Sequence, residues 1–460
     1  AGATLSPEGQ ERLDALSRQY PEWALAEDQS DEFPFWSGSD DNWRKFTATP
    51  RRRRELIQWL KQHPDADYFQ QDDWRERCRD NFATTACALW ALAQENCWPA
   101  SRWREALQAW SEDKHVSRAW RYMAPVLAGA PDEAMASVTH GVSYWLRTVA
   151  KTFVGHEEEF FTLGHRVLEL HTRDGNDTDD PVGRAINHPV GHVTEALLQW
   201  WYRRSLEDGK GLPVELKPTF TELCDGGIEK YRHGRVLLAA HVIALFRVDS
   251  EWASENLLPH FEWQTSEHEA RAAWEGFLWS PRLYRPLMEV LKGSFLDSAR
   301  HYEALGKHRV QYASLLTYAA LDQGDTFTSS ELAGAVRALP PEGLRYAANA
   351  LVNALEGAGD QRADYWTNRV APFINNLWPK GQDVMTPVIA ETLSRLCVAA
   401  GGAFPEALEM LRAWLQPLGH PDTAVRMLHK ADLCRTFPEQ ALDFLSLVIG
   451  EQTQWPPTNL

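Results

Sequence analysis

Helical periodicity runs through almost every segment of this chain, and sustained two-residue alternation is almost nowhere present, which confines the fold to packed helices. Between Arg51 and Leu60, the apolar Leu56, Ile57 and Leu60 fall at i, i+1 and i+4. Between Glu406 and Leu415, Leu408, Leu411, Trp414 and Leu415 fall at i, i+3, i+6 and i+7. Each set makes one apolar stripe on a helix. Helix starts recur at Ser6-Pro7-Glu8, Thr49-Pro50 and Ser280-Pro281, and where Asp or Glu follows Pro131, Pro405, Pro421 and Pro438. Proline suits the first turn, where its missing N–H has no partner to lose, and an early carboxylate complements the helix dipole. These starts predict about twenty helices, or about 23 residues per helix with its loop; paired, that approaches the roughly 40–47-residue unit of HEAT-type repeats. The expected fold is therefore all-α, a HEAT/TPR-like helical-repeat solenoid, with a non-repetitive helical bundle as the alternative.

One repeat is readable directly. Phe404-Pro405-Glu406-Ala407-Leu408 recurs, with one inserted residue, as Phe437-Pro438-Glu439-Gln440-Ala441-Leu442, and Leu-Cys precedes each, at Leu396-Cys397 and Leu433-Cys434. A fainter copy runs from Cys78 to Leu89. The pattern reads as a helix end, a turn carrying Phe into the neighbouring unit, and a proline-started helix. No long Gly/Ser-rich or Pro-rich linker divides the chain. The acidic, turn-rich stretch 27–42 points to an irregular N-terminal cap over 1–48, followed by one continuous array over 49–460. Two further loops, 174–180 and 207–213, place a bend near 174–215.

Composition removes several classes. Of 460 residues 44% are apolar, enough for a large core, so wholesale disorder is excluded. The net charge of −17 argues against a general nucleic-acid binder, which neutralises phosphates with Lys and Arg. The longest apolar run, Val236 to Phe246, is interrupted by His241 and falls short of the about 20 residues a membrane span needs, so it reads as one buried core helix. The start, AGATLSPEGQERL, has neither an initiator Met nor a basic-then-apolar leader and reads as a cut or processed end. Six scattered cysteines, without CxxC or paired His spacing, suit a reducing cytoplasm and neither a disulfide framework nor a zinc ribbon.

The densest titratable cluster is Asn187 to Glu195. On a helix starting at Pro189, His192 and Glu195 are i, i+3 neighbours and His188 sits at the N-cap, so two imidazoles and a carboxylate lie within reach of one divalent ion. The competing expectation, an N-cap histidine beside a core-bonded pair, is the stronger, and no metal site is assigned. The acidic loop from Asp174 to Asp180 has the charge of a calcium loop but neither its sixth-position Gly nor its terminal Glu. His233 and His241 lie eight residues apart on an apolar segment that also carries Arg235, where a hydrogen-bonded core role is expected for His241. Arg51 to Arg54 is the only basic run and reads as a solvated helix face. There is no P-loop, GxGxxG, HExxH or GxSxG, and no catalytic residue or cofactor is assigned.

Trp274 to Pro286 is the richest aromatic and arginine stretch. Trp, Tyr and Arg dominate interface hot spots because they join large rigid area to directed polar contacts. Trp274, Trp279, Arg282, Tyr284 and Arg285 are therefore the expected partner-binding residues, against the alternative that Trp274 and Phe277 pack between helices. The 21 tryptophans of the chain also suit a concave aromatic binding face.

The stretches 98–113 (WPASRWREALQAWSED), 187–204 (NHPVGHVTEALLQWWYRR), 232–249 (RHGRVLLAAHVIALFRVD) and 274–287 (WEGFLWSPRLYRPL) carry a family resemblance. Together they resemble the long helical C-terminal region of large bacterial anti-phage defence proteins that begin with a sirtuin-like, NAD-hydrolysing domain. The chain lacks the glycine-rich NAD-binding turn and catalytic His context of that domain, so no family catalytic residue carries over. The resemblance implies a non-enzymatic, cytoplasmic sensor or scaffold module. It would bind a protein partner such as a phage component and control an attached NAD-hydrolysing effector, with a homo-oligomer compatible. The rival expectation is an enzyme with a small-molecule pocket lined by His188, His192, His233, Arg235 and His241. A nucleic-acid-sensing solenoid is a third, disfavoured by the charge.

Overall fold

The computed structural model describes residues 7–19, 47–65, 72–172, 180–204, 206–322, 324–381 and 386–450. These residues are 76% helical, with about 22 helices of seven or more residues and no strand. One isolated bridge joins Thr47 to Asp72. The chain forms two compact units, residues 1–48 with 66–72 and residues 49–65 with 73–460. In the first, α1 (Pro7–Gln19) begins at the proline that Ser6-Pro7-Glu8 predicts, so a stretch expected to be irregular holds a 13-residue helix. The acidic stretch 27–42 lies outside the described residues.

The second unit opens with α2 (Arg53–Gln62), α3 (Trp74–Asp80), α4 (Phe82–Gln94), α5 (Ala100–Trp110), α6 (Asp113–Ala128), α7 (Asp132–Val149) and α8 (Glu157–Leu170). Each packs on the next helix but one: α2 on α4, α3 on α5, α4 on α6, α5 on α7 and α6 on α8. Large rings fill the seams, among them the fully buried Trp103, Trp110, Trp120 and Trp145.

The short α9 (Pro181–Ala185) interrupts this order before α10 (Pro189–Tyr202), α11 (Lys217–Leu223), α12 (Arg232–Ala240), α13 (Val242–Val248), α14 (Ser250–Trp252) and α15 (Glu267–Leu278). α10 packs on α7 and α12, and α12 on α15, whereas α9 lies against both α12 and α15. There Val182 and Ala185 close a small apolar cluster with Val236, Leu237 and Ala272. The apolar run Val236–Phe246 is not one helix, contrary to expectation. At His241 the backbone turns to φ −108°, ψ 13°, its N–H bonding back to Leu238, and α13 starts on the far side.

The remaining helices are α16 (Arg285–Asp297), α17 (Arg309–Leu321), α18 (Ser329–Ala338), α19 (Pro341–Gly357), α20 (Arg362–Tyr365), α21 (Ala371–Asn376) and α22 (Pro387–Ala399). They are followed by α23 (Phe404–Leu411), α24 (Pro421–Lys430), α25 (Leu433–Thr436) and α26 (Pro438–Ile449). The skipping order resumes: α16 packs on α18, α17 on α19, α19 on α22 and α22 on α24. The repeated Phe motifs face each other across α23 and α26, with the rings of Phe404 and Phe437 6.4 Å apart. Two π turns, Ala253–Leu257 and Trp366–Val370, each precede a proline by two residues, Pro259 and Pro372. A proline ring collides with the carbonyl four residues back in a regular helix, and widening the turn relieves that clash.

Helix C-termini leave carbonyls without intrahelical donors, and a later cation repeatedly satisfies them. Arg166 donates to Ala128 and Ala130 at the end of α6, and Arg203 to Ala150 and Phe153 at the end of α7. Lys230 donates to Leu168 and His171 at the end of α8, and Arg369 to Leu321 at the end of α17.

Candidate functional site

The histidine cluster is built where α8, α9, α10 and α12 meet. The Asp180 carboxylate accepts the Gly183 N–H at 2.8 Å and starts α9; Lys307 Nζ holds the same carboxylate at 2.6 Å. Gly191 lets the first turn of α10 press on α9, since a Cβ there would sit 1.7 Å from the Ala185 carbonyl oxygen. His188 is the N-cap of α10, as expected, its Nδ1 accepting the Val190 N–H at 3.2 Å. Its ring stacks on His233 at 3.9 Å between centroids and meets His171 edge-on at 4.9 Å. His171 Nδ1 lies 3.2 Å from the Thr139 hydroxyl.

The five residues expected to line one pocket are divided. His188 and His233 stack their rings, and His192 meets His188 only through the backbone, its N–H donating to the His188 carbonyl at 2.8 Å. His192 belongs to the α7–α10 seam, its Nδ1 3.1 Å from the fully buried Ser143 hydroxyl, and its neighbour Glu195 pairs with Arg147 instead of sharing an ion with it. Arg235 is 1% exposed; its Nε and Nη2 fork onto Glu269 at 2.8 and 3.0 Å, while Nη1 reaches the carbonyls of Leu223 and Asp225. It is a clamp, not a pocket wall. His241 stands apart with the Tyr202 hydroxyl, 2.8 Å from Nδ1. Among the described residues no three His, Cys, Asp or Glu side chains form a group able to hold a metal.

Burial, then the charges of Arg147 and His140, pushes His192 down to about 3. Burial and the charges of Arg184, Arg232 and Arg235 push His233 down to about 4. Burial alone would raise the Glu269 carboxyl, but the hydrogen bonds and charges of Arg235 and Arg232 outweigh it and hold it at about 2. Both histidines are thus neutral at pH 7, and Glu269 is ionised.

A cleft of about 680 Å³ opens beside this cluster, lined by Ser101, Arg104, Thr139, His140, His171 and Thr172 and their small neighbours. None of its described lining residues is acidic. Gly141 brings α7 against α5 there: a Cβ on it would lie 3.1 Å from the Arg104 Cα. The cleft offers hydroxyls, imidazoles and one guanidinium, the groups that hydrogen-bond a small polar or anionic molecule.

The aromatic stretch is divided in the same way. Trp274 is fully buried, donating from Nε1 to the Phe261 carbonyl at 3.0 Å and lying edge-on to Phe261 and Phe277. It cannot meet a partner, because it lies three and four residues from Phe277 and Ala270 on the inward face of α15. Past the end of α15 the chain leaves the core. Trp279 is 50% exposed, Leu283 37%, and Arg282 is exposed without a hydrogen bond or ion pair among the described residues. Tyr284 is the half-buried N-cap of α16, and Arg285 forks onto Asp322 at 2.7 and 3.0 Å. Ser280-Pro281 begins no helix; α16 starts at Arg285 with Pro286 in its first turn.

Elsewhere, Arg51 to Arg54 are exposed at the start of α2, as expected of a solvated face. Asp174 to Asp179 lie outside the described residues. Two buried charge clusters went unread in the sequence. Arg102 donates to the carbonyls of His63 and Asp65 with its guanidinium 4.8 Å over Trp59. Glu275, fully buried, receives Arg271 Nε at 3.0 Å and faces His308 Nδ1 at 3.2 Å. Their named partners lie from four to 43 residues away, and most are joined only by the folded chain. Comparison with family models, curated proteins and solved structures finds no match to this chain.

Proposed function

We propose that residues 49–460 form a HEAT/TPR-like helical-repeat solenoid that works as a non-enzymatic recognition module of a bacterial antiviral defence protein. It binds a protein partner, a phage component, and controls an attached NAD-hydrolysing effector in the cytoplasm. The next-but-one packing order supports the solenoid reading. The observation that carries recognition is the loop from Trp279 to Tyr284, which exposes Trp279, Leu283 and an Arg282 without an ion pair among the described residues. Such residues are costly to leave in water and gain most when a partner covers them. The partner acts by fitting one arrangement of the helix stack better than another, which is the only way a ligand shifts such an equilibrium.

The test immobilises the chain and its Trp279→Ala/Arg282→Glu variant and passes phage-infected and uninfected lysates over both. One phage protein retained only by the wild type, after infection, with equal melting temperatures for the two chains, is expected. Equal retention by both chains, or no infection-specific protein, overturns the reading. The cleft beside His140 and His171 favours a second reading, a small-ligand site, for which Arg104→Ala would abolish stabilisation of the chain by a small anion such as phosphate.

A further inference from the structure

α4 is a helix without a charged residue, FATTACALWALAQ, and its outward stripe is apolar too. Ala83, Cys87 and Trp90, at i, i+4 and i+7, are exposed, Trp90 at 50%. A helix that is apolar all round ordinarily has both faces covered. Beside it, α6 exposes Tyr122 at 57%. Between the two helices lies a groove of about 280 Å³ walled by Phe82, Cys87, Trp90, Arg118, Tyr122 and Met123.

The rim of that groove is cationic. Lys114, Arg118 and Arg121 are exposed at i, i+4 and i+7 of α6, on the same helix face as the groove-lining Arg118 and Tyr122. None has a hydrogen bond or ion pair among the described residues; Arg118 only lies 5.0 Å over the Phe82 ring. Some exposed arginines elsewhere pair with carboxylates, Arg247 with Asp208, Arg300 with Asp297 and Arg426 with Asp422, while others such as Arg75 and Arg282 have no ion pair among the described residues; what sets the α6 trio apart is that its cations flank an apolar groove.

We infer that the α4–α6 groove docks a short acidic protein segment, which inserts one bulky apolar side chain between Trp90 and Tyr122 and lays its carboxylates along Lys114, Arg118 and Arg121. The apolar floor supplies affinity by burial, and the three cations select charge and register. The stripe from Lys114 to Arg121 is about 10 Å long, the reach of two helical turns or three extended residues. Single-stranded nucleic acid also uses aromatics and cations, but it needs a basic track along many phosphates, and a net charge of −17 repels it. This surface is separate from the loop at 279–284 and does not depend on it.

The test uses the full chain and a fluorescein-labelled peptide of Glu and Asp with a central Phe-Leu pair, read by anisotropy at low salt. Two controls replace Phe-Leu by Gly-Gly or the acids by lysines. Saturable binding of the acidic, anchored peptide is expected, at least tenfold weaker for Arg118→Glu/Arg121→Glu, for Trp90→Ala and for the Gly-Gly peptide. Saturating peptide should also slow alkylation of the Cys87 thiol at least tenfold, a readout that needs no variant. Unchanged circular dichroism melting keeps the variants interpretable, because every altered residue faces solvent. The inference fails if the peptide does not bind, if variants or the Gly-Gly peptide bind equally well, if Cys87 stays unprotected, or if a single-stranded oligonucleotide displaces the peptide more effectively than unlabelled peptide does.

Discussion

The stretch from α5 to α17 and the stretch from α18 to α26 both stack helices in a skipping order, broken in the first by α9, and they hold the stack by different physics. Every buried acidic, basic or imidazole side chain among the described residues falls in the first: Arg102, His171, His188, His192, His233, Arg235, Asp249, Glu275 and His308. Beyond α17 the buried polar residues among those described are Thr392 and Ser394, and the seams are apolar, aliphatic between α19 and α22 and aromatic around Phe404 and Phe444. There α19 packs on α22, with Ala347, Leu351 and Leu355 of the one and Ile389, Leu393 and Leu396 of the other all buried. Apolar seams gain stability in proportion to area and tolerate exchanges of similar volume. Charged seams demand fixed geometry and lose heavily when one partner goes. Apolar packing therefore suffices to stack these helices, and the polar middle is where a specific site would be shaped.

Removing Arg235 should give the largest effect. Its loss leaves Glu269 with Arg232 alone and strips donors from the carbonyls of Leu223 and Asp225. Arg235→Ala should cost roughly 3–5 kcal/mol, the range for breaking a buried pair. Lysine at 235 should rescue little, because it cannot fork onto a carboxylate. Leu351→Ala, in the aliphatic seam, should cost about 2–5 kcal/mol by cavity formation. Hydrogen exchange of the whole chain separates them: Arg235→Ala should deprotect α11, α12 and α15, and Leu351→Ala should deprotect α19 and α22. If Arg235→Ala leaves α11 and α15 protected, the charged seam is not what holds them.

The aliphatic stretch is also the more legible one. Proline-acid starts at 421 and 438 open α24 and α26, Pro405 stands in the first turn of α23, and the Phe repeat locates a real packing unit. Local periodicity encodes such features completely, because a stripe needs only its own helix. In the middle stretch the same reading found the N-cap at His188 but misplaced Trp274, Arg235 and His241. Whether Arg235 lines a pocket or grips Glu269, 34 residues on, is settled by a pairing across helices that no local pattern records. The break at His241 was invisible for a similar reason: no proline or glycine marks it, and the side chain is engaged with Tyr202 on another helix. The cleft at His140 gathers residues from α5, α7 and the end of α8, none of which stands out alone.

Acid should act on the two stretches unequally. His192 and His233 titrate near 3 and 4 in the folded chain, below the usual histidine value of 6.5. As pH falls below 6.5 the unfolded chain takes up protons that the folded chain refuses, so stability is whole above 6.5 and drains as pH drops toward 4 and then 3. Between pH 7 and pH 5 each histidine should remove roughly 2 kcal/mol at most. Glu269, held near 2 against its ordinary 4.5, acts in a lower window, below pH 4.5. Protection factors at pH 7 and pH 5 should therefore fall in α7, α10 and α12 and hold in α19 and α22. His192→Gln should flatten the dependence in α7 and α10. Equal loss across both stretches would show that global charge, not the buried imidazoles, governs the acid response.

The smallest predicted difference probes the repeat itself. Ala407 and Ala441 are both buried, at three residues after Phe404 and four after Phe437, so the inserted Gln440 shifts one copy by a residue without moving its alanine from the seam. The leucines that follow part company: Leu408 is 2% exposed and Leu442 71%. Leu408→Ala should cost about 2–5 kcal/mol and Leu442→Ala less than about 0.5 kcal/mol, measured by denaturant unfolding of the full chain. Deleting Gln440 would put both copies in one register and turn every side chain after it by about 100° about the helix axis. That variant should destabilise α26 through loss of the Phe444 contact with Phe404, whose rings now lie 5.8 Å apart. A deletion without effect on unfolding would mean that the Phe repeat is a coincidence of composition and not a packing unit.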